Sequence, residues 1–449
     1  MRRLALLAAL GAGAALCIAG GASQRVAEDL GSMNRERTVL YVLWAAGAGV
    51  FYAAAVLLPG GSGRRGLLVV LGFAAVMRVL TFVPPPLLST DVYRYVWDGR
   101  VQAAGINPYL HVPAAPELQA LRDTGSGAAA IYPNVNRAEL APTIYPPAAQ
   151  AIFAAIGLAW PSVWGMKAAM LAFDLLALAA AVVLLRAARL PPERVLIYAW
   201  NPLVVWEFAG GAHIDAAATG LTALALLAAV RRWPTLAGVA LALAVLCKLL
   251  PAALFPAFWR RWEWRLPLAC AVVIAAGYAC YAGAGWRVLG YLPGYAQEEQ
   301  LAGGGAFLLR LLAVLGPVPG WAGPAYAAAG LLLLGGLAAR VMLQGPLPLD
   351  PGQRATALCR DALWLGTATA VVLSPHYPWY MAGLVLPAVL APVPAVLWLT
   401  LAGPVLYLDH GFDEVVWPAL VFLPFAALLA WDLLRRAQPR PALVADGGS

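Results

Sequence analysis

The sequence predicts an all-α, polytopic membrane protein, and composition and pattern both point there. Apolar and aromatic residues make up 62% of the 449 residues and charged ones only 12%, where soluble domains carry about 25%. The charges gather in clusters, with long apolar stretches such as 163–185, 266–284 and 322–339 between them. Such runs approach the about 20 residues that a bilayer core demands of a helix, whereas runs of about 10–14 would suit a soluble core.

The opening MRRLALLAALGAGAALCIAGGAS has the charged start and apolar stretch of a signal peptide. Its apolar run from Leu4 to Ala22 is also long enough to span. We read a retained span with an inside N-terminus. Leu16 precedes Cys17 where a lipoprotein site wants a small residue. Further spans are expected near 38–58, 67–83, 163–185, 195–209, 213–230, 235–250, 266–284, 322–343, 361–374, 378–392, 394–408 and 415–434. Together they suggest about 11–14 transmembrane helices. Residues 146–160 and 305–316 are apolar but short, as half-helices entering from one side would be. No linker, fixed-period repeat or second domain interrupts the series, so 1–436 is read as one domain. The tail 437–449 is expected to be disordered.

The net charge of +8 raises the question of nucleic acid. The basic residues lie in short clusters beside apolar runs, where they act as topology signals, so no nucleic-acid partner is expected. Cys17, Cys247, Cys270, Cys280 and Cys359 lie in or beside apolar segments without CxxC spacing and are read as packing residues.

Arg2/Arg3, Arg64/Arg65, Arg186/Arg189/Arg194, Arg231/Arg232, Arg260/Arg261/Arg265, Arg354/Arg360 and Arg435/Arg436/Arg440 fall on the inner side if residues 146–185 make one net crossing. The outer side then receives loop 84–145, the GGAHIDA turn, the region after Lys248, loop 285–321, the SPHYPWY turn and LDHGFDE. All 4 histidines, His111, His213, His376 and His410, fall there. A purely structural membrane protein need not sort its chemically capable residues to one face.

Four constellations stand out. In the long loop, Thr90 is a good helix cap and Asp91 would lie in the first turn, where the helix dipole favours its charge. At helical spacing Asp91, Arg94, Asp98 and Gln102 share one face, which describes an amphipathic helix at the membrane surface. Either the carboxylates act, or they form plain i,i+3 and i,i+4 ion pairs. In AWNPLVVWEFAGGAHIDAAATG, Asn201-Pro202 breaks the helix, and Glu207, His213 and Asp215 are ionisable residues in or beside spans, where such groups are costly and usually functional. The His-x-Asp spacing offers two metal ligands, which do not make a site. Lys248 is a lone cation between apolar runs, either snorkelling or holding an anion. His376, Tyr377, Trp379 and Tyr380 occupy a proline-bracketed turn. An interfacial aromatic belt accounts for the rings but not for the histidine.

Taken together, DVYRYVWDGRVQAAGINPY, TIYPPAAQAIF, NPLVVWEFAGGAHIDA, the lysine in CKLLPAALFP and SPHYPWY resemble the GT-C class of integral membrane glycosyltransferases. The likeness is to bacterial polyprenol-phosphate-sugar-dependent enzymes of the mannosyltransferase type, and it runs from about Pro85 to Leu386. The resemblance implies a GT-C-type bundle with a large outer catalytic loop, 84–145, carrying amphipathic helices. It implies transfer of a hexose, mannose first, from a polyprenyl-phosphate donor to a glycan or glycolipid acceptor, with inversion. Asp91 matches the acidic position of the family's first outer loop and would be the catalytic base. Lys248, Arg94 and His376 resemble the cations that hold the donor phosphate. Tyr145, with Pro146 and Pro147, matches the start of the helix after that loop. His213 and Asp215 match a His-Asn-Asp turn, with Ile214 in the middle place. Asp98, Tyr377 and Tyr380 complete the expected substrate-binding set. Tyr93 stands where an Asp-x-Asp metal motif would need its second acid, so no residue is assigned to a metal. No cofactor is expected, although a divalent metal stays open.

The chemistry fits these residue types. Glycosyl transfer needs a base near the acceptor hydroxyl and positive charge where the leaving phosphate develops its own. The expected location is the cell (inner) membrane with the active site outside. The alternative is a transporter or flippase, which would also use broken helices and buried ionisable groups. Such a protein would show a central site reachable from both sides, whereas the enzyme would show one outer cavity lined by Asp91, Lys248 and His376.

Overall fold

The computed structural model describes residues 2–23, 35–58, 61–122, 131–260, 263–291, 294, 305–408 and 415–437. Among them every regular element is helical, and the protein is an all-α polytopic membrane protein. Among the described residues 7 helices are long and apolar enough to cross a bilayer, up to 9 if each of two bent pairs is one span, and shorter apolar helices stand beside them. His410 and the tail from 438 lie outside the described residues.

Helices α1 (Arg2–Ser23), α2 (Arg35–Leu57) and α3 (Gly63–Phe82) pack as one cluster. Aromatic rings of the partner helices cover glycines on α1: Phe51 over Gly13, Phe73 over Gly11, Trp44 over Gly20. Lipid tails are as apolar as leucine, so van der Waals packing of these rings into the glycine gaps has to supply the attraction. Next come α4 (Asp91–Ala103) and, after an irregular loop, α5 (Pro147–Ala159). These two cross at Gly99 and Gly157, where a Cβ on either residue would collide with the other helix's backbone.

The long helix α6 (Val163–Ala187) begins at Ser162, whose Oγ accepts from the Gly165 amide at 3.0 Å. It carries two charges into the bundle, and both are matched. Asp174 accepts from Arg78 of α3 at 2.6 and 3.1 Å and from the Tyr198 hydroxyl at 2.9 Å. Lys167 donates to the Thr81 and Pro84 carbonyls. Buried charge is tolerable only when paired in this way, and these pairs bind α3 to α6. The remaining long elements are α7 (Asp215–Val230), α8 (Pro234–Val245), α9 (Arg265–Ala279), α10 (Phe307–Leu315), α11 (Ala322–Met342), α12 (Pro351–Leu373), α13 (Pro394–Ala402) and α14 (Val416–Ala437).

Three expectations need correction. The spans expected at 195–209 and 378–392 are not single helices. The first is a run of short turns ending in a π-helical turn, Val205–Gly210, that meets α7 at 114°. The second is a 3-10 segment, Pro378–Leu384, followed by a short helix, Val385–Ala388. Pro202, Pro378 and Pro387 withhold the amides a continuous helix requires. The Asn201 side chain caps the first break, accepting from Leu203 and Val204 at 3.1 and 3.3 Å. Finally, α4 does not present its charged face to solvent. Nine of its residues, from Val92 to Val101, are buried, because loop 131–146 folds over the face the pattern left polar.

Candidate active site

The loop, the segment after α8 and the aromatic turn converge on one cavity of about 860 Å³. Its walls include Asp91 at the start of α4, Asn136, Arg137 and Tyr145 from the loop, Lys248 after α8, and Tyr377, Trp379 and Tyr380 from the turn after α12. Thr369 and Leu373, at one end of α12, line it as well. Arg189, Arg260 and Arg360 line a separate cleft with Gly352 and Thr356, at the other end of α12. Aromatic side chains thus meet at one end of this helix and a cluster of three arginines at the other.

Asp91 has a polar seat. Its amide donates to Ser89 Oγ at 3.2 Å, and Oδ1 accepts from Asn136 Nδ2 at 2.7 Å. Oδ2 faces His213 Nδ1 at 3.7 Å, and the side chain keeps 17% of its exposure. Lys248 Nζ lies 3.1 Å from Asp215 Oδ2 and 4.1 Å from the centre of the Tyr380 ring. The carboxylate and the π-face fix a cation at the cavity wall. Burial and the Asp91 charge hold the Tyr145 phenol well above the usual tyrosine range, so Tyr145 is a hydrogen-bonding neutral wall here. His213 is fully buried and stacks on Trp379 at 4.0 Å, which stacks on Tyr377 at 4.6 Å.

The expected residues are therefore only partly brought together. Asp91, Tyr145, Lys248, Tyr377 and Tyr380 line the cavity, while His213 and Asp215 stand directly behind Asp91 and Lys248. Arg94 and Asp98 do not reach it. They form a buried pair at 2.9 Å, and Arg94 also donates to the Ala141 and Asn136 carbonyls at 3.0 and 3.4 Å. His376 does not line the cavity either, and its Nδ1 lies 3.5 Å from Arg310. Asn136 and Arg137 are additions, and no periodicity marks them in the sequence. Arg137 has a left-handed φ of 51°, a conformation that costs about 1–3 kcal/mol and is enriched at functional sites. Among the described residues no group of three His, Cys, Asp or Glu side chains is arranged to hold a metal.

A family model described as MptA_B, alpha-(1->6)-mannopyranosyltransferase, N-terminal domain, matches residues 3–264, more than half of the chain. The chain belongs to that family. No curated protein and no solved structure matches it. The matched part of this mannosyltransferase contains Asp91, Asn136, Arg137, His213, Asp215 and Lys248 and ends before the aromatic turn. It is thus a glycosyltransferase of the hexosyl-transferring kind, with several apolar helices that cross the membrane.

Proposed function

We propose that this mannosyltransferase moves mannose from a polyprenyl-phosphate donor to an acceptor on the extracytoplasmic side of the cell membrane, in a GT-C-type bundle and with inversion. The family description supports the 6-hydroxyl of an acceptor mannose, carried by a glycan or glycolipid. Residues 1–436 act as one unit. In the reaction the acceptor oxygen attacks the anomeric carbon and its proton passes to Asp91. The bond from that carbon to the phosphate oxygen breaks, and the lipid phosphate leaves with the electron pair. Lys248 and Arg137 hold the phosphate where negative charge grows, with Asp215 and Tyr380 keeping Lys248 in place.

The observation that carries this reading is the setting of Lys248, a cation on the wall of two adjoining, largely apolar spaces. A second space, of about 80 Å³, shares Lys248, Leu250, Thr369 and Tyr380 with the large cavity and is walled further by Leu226, Leu254 and Leu384. A donor with a charged head and an isoprenoid tail needs a cation set among apolar walls, and Ile144, Leu249, Leu250 and Leu373 supply them around Lys248 in the large cavity, whereas a nucleotide sugar needs polar partners for its base and ribose. The test offers the purified protein radiolabelled polyprenyl-phosphate mannose or GDP-mannose, with an alkyl α-mannoside as acceptor. Transfer from the lipid donor alone is expected. Transfer from GDP-mannose alone overturns the donor assignment.

A further inference from the structure

Behind Asp91, away from the substrate cavity, a row of buried polar side chains continues. Asp91 Oδ2 lies 3.7 Å from His213 Nδ1, and His213 Nε2 lies 3.3 Å from Glu207 Oε2. The Tyr407 hydroxyl donates to Glu207, 2.9 and 3.0 Å from its two oxygens. His213 is wholly buried, Glu207 is 2% exposed, and neither ring nitrogen of His213 has a hydrogen-bond partner. An imidazole left in that state is costly as mere packing. The backbone goes out of its way to place it. A π-helical turn, Val205–Gly210, and a left-handed Ala212 with φ 56° bring residues 207 and 213 side by side, and Trp379 holds the ring plane. Both devices are enriched at functional sites.

A small cavity, of about 30 Å³, lies beyond. Glu207, His213, Tyr407 and Ser89 line it, and it has room for about one or two waters. Leu88 and Ser89 line both this cavity and the large one.

We propose that His213 and Glu207 form a proton relay that orients Asp91 and draws off the proton it takes from the acceptor. This rests on Asp91 being the base. The carboxyl proton of Asp91 passes to His213 Nδ1 as the proton on Nε2 passes to Glu207. Asp91 returns to a carboxylate, the imidazole changes tautomer, and Glu207 holds the proton until water in the small cavity accepts it. The 3.7 Å gap closes with a small turn of the Asp91 carboxylate, since such contacts run long before substrate binds. The ionisable groups facing the relay are Lys248, Tyr95 and Tyr145 on the Asp91 side, Tyr41 and Tyr407 on the Glu207 side, and Asp215 two residues after His213.

The test measures kcat, donor KM and the pH profile for Asp91→Asn, His213→Gln, Glu207→Gln and Glu207→Asp, with polyprenyl-phosphate mannose and an alkyl α-mannoside. His213→Gln and Glu207→Gln should lower kcat about 10²-fold, the low end for loss of a proton-transfer group, with donor KM unchanged. Glu207→Asp should recover much of the rate. Removing the Glu207 charge makes Asp91 easier to ionise, so the acid limb of Glu207→Gln should move to lower pH. A slower enzyme whose acid limb stays in place, or an unchanged kcat, overturns the relay. Should the Gln variants not fold, Tyr407→Phe frees Glu207 from its donor and should lower kcat several-fold, and an unchanged rate contradicts the relay. If Asp91→Asn turns over normally, the base assignment fails and the relay with it. If Asp91→Asn is inactive while the His213 and Glu207 variants behave as wild type, the relay alone fails.

Discussion

Asp91 and Asp98 stand about two turns apart on one helix, and their surroundings differ in kind. Asp98 is 1% exposed. It accepts from Arg94 at 2.9 Å and from Gln150 at 3.0 Å, and Gln150 also donates to Thr143 at 2.7 Å. Its charge is fully committed to holding loop 131–146 and α5 against α4. Asp91 has one oxygen held by Asn136 and the other facing an unbonded imidazole, at the wall of the large cavity. A carboxylate with an uncommitted oxygen and a route to substrate can accept a proton, and one saturated by donors holds structure instead. Helical spacing puts both on one face and cannot tell them apart. The loop that folds over one and leaves the other open makes the difference.

That contrast can be broken by substitution. The largest effect on stability is expected from Asp98→Asn, which leaves Arg94 buried without a counter-charge and should cost about 3–5 kcal/mol. We predict an early thermal transition in detergent, with turnover per folded molecule close to wild type. A stable Asp98→Asn protein that has lost turnover would move the base to Asp98. Next in size is Lys248→Ala. A charge-assisted contact to phosphate contributes about 1.5–3 kcal/mol, so donor KM should rise up to about a hundredfold, with acceptor KM little changed. Equal effects on both substrates would return Lys248 to a snorkelling side chain paired with Asp215.

How much of this was legible in the sequence depended on isolation. Lys248 stands out because a single charge beside an apolar run is costly to keep unless it has a task, whereas Asp91 stands out by its place in the first turn of a helix and by its match to the family's acidic position. Glu207, His213 and Asp215 stand out for the same reason as Lys248. Arg94 and Asp98 were legible only as a pair, and the i,i+4 ion-pair reading of them is the one the structure contains. Asn136 and Arg137 were not legible, because they lie in an irregular loop whose position is set by contacts remote in sequence. His376 failed for a related reason: its turn was recognisable, but which rings point to the cavity depends on the 3-10 geometry of Pro378–Leu384, and Trp379 and Tyr380 take the places. Lys167 and Asp174, in the middle of the α6 apolar run, owe their roles to partners on other segments that no local pattern identifies.

The smallest functional effect is expected from a labelling variant. Gln119 is exposed on the loop segment that follows α4. In a chain freed of its 5 native cysteines, Gln119→Cys should leave turnover unchanged and should react with an impermeant thiol reagent in intact cells. Reaction only after lysis would place the loop, and Asp91 with it, inside.

The most direct measurement compares wild type with Asp91→Asn in one preparation, supplied with polyprenyl-phosphate mannose and an alkyl α-mannoside. Asparagine keeps the size and the Asn136 contact and loses the base. Both proteins should be monodisperse and bind the donor alike, and turnover of the variant should fall by about 10²–10⁴-fold, the usual cost of a lost general base. A folded Asp91→Asn protein that transfers mannose at the wild-type rate would contradict the mechanism.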